Sequence, residues 1–448
     1  MPTDPTSGRA GATTRPEPDR LAGIGPALRE AARRFGTPLY LTDAATIDAA
    51  AAELRGAFPD PWIRQYSVKA NDVAAVVRLV TAATSDGSAP IGANVVSRGE
   101  WAVARAAGVP NSRISLEGVG KTDADLSAAV RAVAAGDALA WVAIESADEA
   151  EALIDRARRA RLGLAGRPAL DVLVRLNPDV APETHSGLAV GAGSSKFGMT
   201  ETELSVVVER LAAAGGAIRP RGIQLHVGSQ LGAVDAWRDA VRRGLALLGL
   251  LRGGLPDVDT LDVGGGFAVP PLSDPGPRPE RFARELPELI RAIPTDRRPR
   301  RLAIEPGRFL VARSGWLVGR VLHVRERGGP QVVIDTGMTE LIRPALYGGR
   351  HPIVALTSLG RDVDPAPIRP AVGRGPTAVH GPICESTDAL GEHDLPGLRR
   401  GDLVAIRDSG AYAASLSSTY NGRPRPPQVI LRADGRLELG RRRATVRP

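Results

Sequence analysis

Lysine is almost absent from this chain. Of 58 basic residues in 448, only Lys69, Lys121 and Lys196 are lysines. Arginine stays protonated inside a protein, whereas a lysine amine, which ordinarily titrates at about 10.4, can lose its proton when desolvated and attack a carbonyl. Each surviving lysine is therefore a candidate for a place that needs an amine, with a plain surface or strand-end cation as the alternative. Cysteine is scarcer still: the single Cys384 excludes an intrachain disulfide framework. Aromatics make up only 4%. The charge of +8 and pI near 10.2 are spread along the chain, and the one dense basic run, Arg441 to Arg443, sits in a terminal tail. That pattern describes solvated faces better than a nucleic-acid footprint. No apolar run is long enough to span a bilayer and the N-terminus lacks a signal peptide's apolar core, so a cytoplasmic enzyme is expected. His185, His351 and His393 show no ligand spacing with His226 or with one another, so no metal site is assigned.

What is present has a rhythm. Residues 1–20, rich in Pro, Thr, Gly and charge, predict a disordered tail. Residues 21–45 hold a short amphipathic helix and a strand, Pro38 to Leu41, expected to pack with a later β domain, and Thr42-Asp43 can cap the following helix. Short apolar runs then alternate with helical stretches of roughly ten to eighteen residues. The predicted strands are Ile63 to Val68, Ile91 to Val96, Arg113 to Glu117, Leu139 to Ile144, Leu170 to Leu176, Gly222 to Val227, Thr260 to Val263 and Leu302 to Ile304. Eight βα units within residues 46–308 predict a (β/α)8 barrel. From 309 to 440, strand-like runs without long helices predict an antiparallel β domain, a barrel or sandwich, followed by a basic tail over 441–448.

Barrel chemistry collects where strands end. Lys69 ends the first predicted strand, in Gln65-Tyr66-Ser67-Val68-Lys69-Ala70-Asn71. Asn94, Glu117, Asn177, His226, Gly264-Gly265-Gly266 and Glu305 stand at the ends of others. Consecutive glycines let backbone amides converge on an anion, here in the position of a phosphate cradle. A flat imidazole at His226 can stack on an aromatic cofactor. Glu305, in Glu305-Pro306-Gly307-Arg308, can keep a pyridine nitrogen protonated and make the ring an electron sink, while Arg308 grips a carboxylate; the alternative is a local ion pair. Cys384 lies beside Glu385, whose charge favours a thiol that donates a proton over a thiolate nucleophile.

Together with Leu341-Ile342-Arg343-Pro344-Ala345-Leu346-Tyr347-Gly348, Cys384-Glu385-Ser386 and Gly410-Ala411-Tyr412, these motifs resemble the fold-type III pyridoxal-phosphate decarboxylases, and among them most the diaminopimelate decarboxylases, from about Gly36 to Leu431. The resemblance implies an alanine racemase-like barrel with Lys69 carrying pyridoxal 5'-phosphate as a Schiff base, His226 stacked on the ring, and Glu305 at the pyridine nitrogen. It implies Ser229, Gly265, Gly266 and Tyr412 around the cofactor phosphate, and Gly307 in the cofactor site. It also implies a head-to-tail homodimer in which Cys384, a proton donor near Cα, and Glu385 reach the partner's barrel. Arg308, Arg343 and Tyr347 suit a second substrate carboxylate, and Glu385 a distal ammonium, which points to meso-diaminopimelate. Three departures from the family pattern bear on the substrate: Glu117-Gly118-Val119-Gly120-Lys121 where His-Gly-Asn-Asn-Lys is usual, Asn94 where an Asp is expected, and Gly187 to Gly191 without the usual Thr-Gly. They keep open a specialised relative acting on another amino acid or on a carrier-bound aminoacyl group.

Overall fold

A computed structural model describes residues 23–84, 86–191, 195–269, 276–363 and 375–445. The tail expected over 1–20 and the end of the basic tail, 446–448, lie outside the described residues. So do residues 364–374 within the expected β domain.

Eight parallel strands close into a barrel: β2 (Ile63–Ser67), β3 (Gly92–Val95), β4 (Ile114–Leu116), β5 (Trp141–Ile144), β6 (Leu170–Leu176), β7 (Ile218–Leu225), β8 (Thr260–Asp262) and β9 (Arg301–Ile304). Closure is made by Ile63 opposite Ala303 and Arg64 opposite Ile304. These strands are buried along almost their whole length, as parallel strands between a filled interior and a ring of helices must be. Their near-continuous apolar sequences made them readable. Five of the helices around the barrel start on side-chain caps. Asp43, Ser97 and Ser146 each accept a backbone N–H, and Thr122 with Asp125 and Thr200 with Glu203 form capping boxes.

The second sheet is built around β1 (Leu39–Asp43), which precedes the barrel. The rest follow it: β10 (Gly315–Glu326), β11 (Pro330–Ile334), β12 (Ile353–Ala355), β13 (Thr357–Ser358), β14 (Arg361–Asp362), β15 (Thr377–His380), β16 (Ala389–His393), β17 (Leu403–Ile406), β18 (Gln428–Leu431) and β19 (Leu437–Arg441). The strand order is β16-β15-β11-β10-β1-β18-β19, with β17 joining β10 to β12, and β13–β14 is a separate hairpin. This sheet is mixed, which corrects the antiparallel expectation: β1 pairs with β18, and β11 with β15, in parallel. A parallel pair needs a long crossover, and for β1 and β18 that crossover runs through the whole barrel and most of the second sheet.

The helix Ile24–Phe35 covers one face of this sheet through Ile24, Leu28, Ala31 and Ala32, against Leu39, Leu41, Trp316 and Val429. The other face shares one continuous apolar core with the barrel. Among the described residues no helix is long and apolar enough to cross a membrane.

Candidate active site

The three lysines have three fates. Lys121 is buried, paired with Glu149 at 2.9 Å and bonded to the Gly118 carbonyl. Lys196 is exposed, its ammonium 5.4 Å from the centre of the Phe197 ring. Lys69 is half-buried in a tight 3-10 turn, Val68–Ala70, directly after β2. That turn is pinned from two sides. Ser67 donates from its hydroxyl to the Glu305 carbonyl and from its N–H to the Pro306 carbonyl, both at 3.1 Å. From the β domain, Tyr412 N–H donates to the Ala70 carbonyl at 2.7 Å, and Asn71 Nδ2 reaches the Gly410 carbonyl at 2.9 Å.

Across the barrel mouth lie three buried acids, Glu117, Asp262 and Glu305, with carboxylate oxygens within 4.8 Å of one another. Glu305 is held by two amides, Asn94 Nδ2 at 2.6 Å and Gln224 Nε2 at 3.2 Å. Asp262 accepts from Gly264 N–H at 2.9 Å and Glu117 from Trp141 Nε1 at 3.1 Å. Burial pushes Glu305 well above the usual carboxylate range, reinforced by the charges of Asp262 and Glu117 and opposed by Lys69. Asp262 is raised by burial and then by Glu117. Among the described residues this is the one group spaced to hold a metal ion. Two amide donors aimed at Glu305 make it a hydrogen-bonded acid cluster, since a cation would need acceptors there.

The other end of the pocket favours an anion. Gly265 N–H donates to His226 Nδ1 at 3.3 Å, which fixes the ring. Burial, then the Lys69 and Arg175 charges, hold His226 well below its ordinary value, so it is neutral. A Cβ on Gly265 would lie 2.3 Å from the Glu305 carbonyl oxygen, and Gly266, at φ +104°, would place one 2.5 Å from the Gly228 oxygen. Only glycine lets this loop lie so close. Gly307 packs tightly on Ser67 and Ala70. Arg308, buried, donates to Ser229 Oγ at 3.1 Å and stacks 4.5 Å from the centre of the Tyr412 ring.

Arg343 and Tyr347 lie on a short helix, Arg343–Tyr347, and Tyr347 meets His185 of the loop after β6 edge-on at 5.7 Å. Arg343 donates to His351 Nε2 at 2.9 Å, and the other ring nitrogen faces the Arg407 carbonyl at 3.0 Å. Burial and the Arg308 charge push Arg343 down to about 10. Neither arginine has a carboxylate at salt-bridge distance among the described residues; Asp408 acts on Arg343 from further off.

Cys384 and Glu385 stand apart from this cluster, exposed on the β domain. Tyr420 donates its hydroxyl to Glu385 at 2.6 Å and Asn421 Nδ2 to Cys384 Sγ at 3.4 Å. The single chain therefore assembles Lys69, His226, Ser229, Gly265, Gly266, Gly307, Glu305, Arg308, Arg343, Tyr347 and Tyr412, and leaves Cys384 and Glu385 outside. Sequence reasoning missed His351, Gln224, Asp262, Tyr420 and Asn421. Asp262 and Gln224 sit one or two residues before motifs it did use, so strand alternation could have found them; Tyr420 and Asn421 carried no such signal.

A phosphorylated pyridine fits this pocket. The glycine loop, where no side chain fits, supplies an anion end, and Asp262 Oδ2, Asn94 Oδ1 and Gln224 Oε1 are buried without partners at the acid end. Lys69 lies close enough for its charge to act on both Glu305 and His226. Fold and pocket thus define a barrel enzyme that holds a phosphorylated ring cofactor through a lysine.

The sequence profile of the family described as "Pyridoxal-dependent decarboxylase, pyridoxal binding domain" matches residues 44–312. The chain belongs to this family and is a pyridoxal-phosphate-dependent decarboxylase. It is 35% identical over 405 residues to a diaminopimelate decarboxylase of Deinococcus radiodurans, covering 90% of this chain and 92% of that one. A diaminopimelate decarboxylase of Actinosynnema pretiosum is 36% identical, covering 96% and 92%. The crystal structure of the Helicobacter pylori diaminopimelate decarboxylase complexed with L-lysine superposes with a TM-score of 0.80 at 28% identity, covering 93% of this chain and 97% of that one.

Proposed function

We propose that the chain decarboxylates meso-2,6-diaminopimelate to L-lysine and CO2. The observation that carries this reading is the pair Arg308 and Arg343 at the barrel mouth, neither neutralised by an acid at salt-bridge distance among the described residues. A substrate with two carboxylates offers one to this pair, and Tyr347 lies within the same helix as Arg343. Ornithine or lysine would leave both cations unmet. The names of the relatives agree with this choice.

When bound, pyridoxal phosphate supplies an electron sink for the pair left at Cα as CO2 departs. Lys69 would hold the cofactor through its amine. Neutral His226 gives the ring a flat face without competing charge. Glu305 would hold a proton at the ring nitrogen. Ser229, Gly265, Gly266 and Tyr412 would hold the phosphate, with Gly307 beside the cofactor. Cys384 and Glu385, exposed on one chain, serve the site of a second copy in a homodimer: the Cys384 thiol gives a proton to Cα and Glu385 takes the distal ammonium. One exposed, unbridged thiol suits a reducing cytoplasm.

The test is CO2 release from diaminopimelate, lysine, ornithine, arginine and glutamate. Release from diaminopimelate alone is expected. No release from it, with release from another of the five, overturns the substrate.

A further inference from the structure

Glu117 has no part in the scheme above, yet it is buried against the residue that faces the ring nitrogen. It follows β4 in the segment that departs from the family pattern. Every strand that borders the acid cluster contributes a group to its surroundings. Lys69 follows β2, Asn94 lies on β3, and Trp141 on β5 holds Glu117 through Nε1–H. Arg175 on β6 is tied to Glu145 at 2.8 and 2.9 Å, Gln224 on β7 donates to Glu305, and His226, following β7, is neutral. Asp262 ends β8 and already accepts from the Gly264 N–H.

Three carboxyl groups within 4.8 Å cannot all ionise cheaply. In a buried site each like-charge pair at that distance repels strongly and favours keeping one member protonated. Lys69 is the cation acting on Glu305, and its charge is altered once it engages the cofactor. At least one proton therefore stays in the cluster near neutral pH, and Glu305, raised by burial and by both neighbouring carboxylates, is the acid placed to hold it for the ring.

We propose that Glu117 is a positioning residue that keeps a proton on Glu305 and so stores, ahead of cofactor binding, the proton that the ring nitrogen then receives. This rests on the reading of Glu305 as the partner of that nitrogen. The balance is simple. The Glu305 O–H bond breaks and its electron pair remains on the carboxylate. The nitrogen lone pair forms the new N–H bond, and no proton is exchanged with water. The site then takes up cofactor in its unprotonated form at alkaline pH.

Proton uptake on cofactor binding measures this directly. Cofactor-free enzyme is titrated with pyridoxal phosphate by calorimetry at a pH above the ring nitrogen's own pKa, in two buffers of different ionisation enthalpy. Proton changes at Lys69 are common to all variants and cancel in the difference. Glu117→Gln keeps an oxygen for Trp141 but removes the carboxylate; burial and Asp262 still act on Glu305, so the variant should take up more protons per site than the wild type, up to about one. Its cofactor Kd should rise up to tenfold per pH unit across a range where the wild type is flat. Glu117→Asp should restore the wild-type count, and Glu117→Met should behave as Glu117→Gln if the latter does not fold. A difference below about 0.3 proton overturns the proposal. Glu305→Gln separates the two readings. If it changes the proton count and the bound-cofactor absorbance while Glu117→Gln changes neither, only Glu117's role fails; if it too changes nothing, the assignment of Glu305 to the ring nitrogen fails.

Discussion

Lys69 and Lys121 show how the same side chain is spent on different tasks. Lys121 is sealed in an ion pair with Glu149, whereas Lys69 projects from a turn held by Glu305 and Tyr412 backbone contacts. Lys69→Ala should abolish the absorbance of covalently held cofactor and lower decarboxylation by about 10³-fold or more, measured by CO2 release. Arg343→Met removes one of two cations that burial and mutual repulsion leave in need of an anion. It should raise KM for diaminopimelate by about 10- to 100-fold with a smaller change in kcat, read from initial rates. His351 is buried and neutral, held down to about 4 by burial and by Arg343. Its unfolded value is near 6.5, so the unfolded chain binds the extra proton between these values, and stability falls as pH drops from about 6.5 to about 4. The loss amounts to at most about 3 kcal/mol. Denaturant midpoints should show that slope, flattened in His351→Gln, whose amide can replace both hydrogen bonds. At this scale the sequence was legible wherever a residue was rare or sat in a motif. His351 was neither: its role comes from Arg343 and the Arg407 carbonyl, which only the fold brings together. Glu117 was visible as a departure, but its meaning depended on Asp262 and Glu305 converging from β8 and β9.

Elements of the barrel were read to within a few residues, because a parallel strand buried on both sides leaves a continuous apolar run, as in Leu170–Leu176. The β domain was harder. β12 has three residues, and β16 carries Gly391 at a positive φ, so neither shows a usable alternation. β19 was likewise unread, its burial only partial along its length. The mixed direction of the sheet was also hidden, since pairing across hundreds of residues leaves no local mark. One loop ties the two sheets together at the site. Gly410 lies so close to Val311 that an added Cβ would sit 1.7 Å from its carbonyl oxygen, and the next two residues deliver Tyr412. Gly410→Ala should therefore cost about 2 to 4 kcal/mol and weaken cofactor binding, checked by denaturant unfolding and a cofactor titration.

The whole molecule divides its chemistry. Eleven of the site residues expected from sequence gather on one chain, while Cys384 and Glu385 face outward beside Tyr420 and Asn421. If two copies complete each other, Lys69→Ala and Cys384→Ala variants, each nearly inactive alone, should recover activity when mixed under exchanging conditions. Random pairing gives about a quarter of the wild-type sites, because half the dimers carry one intact site out of two. Recovery is measured by CO2 release, and none would show that the sites are not shared.

The place of β1 in the second sheet also sets a timetable for synthesis. Leu39 and Leu41 leave the ribosome early, but β10, the neighbour that covers one edge, follows about 270 residues later, and β18, on the other edge, later still. At about 5 to 20 residues per second that is roughly 15 to 55 s. For that interval the nascent chain carries an unpaired apolar strand ahead of a barrel that can already close. The first strand made waits for nearly the last, so a nascent chain truncated before β10 is the form expected to recruit chaperones or aggregate.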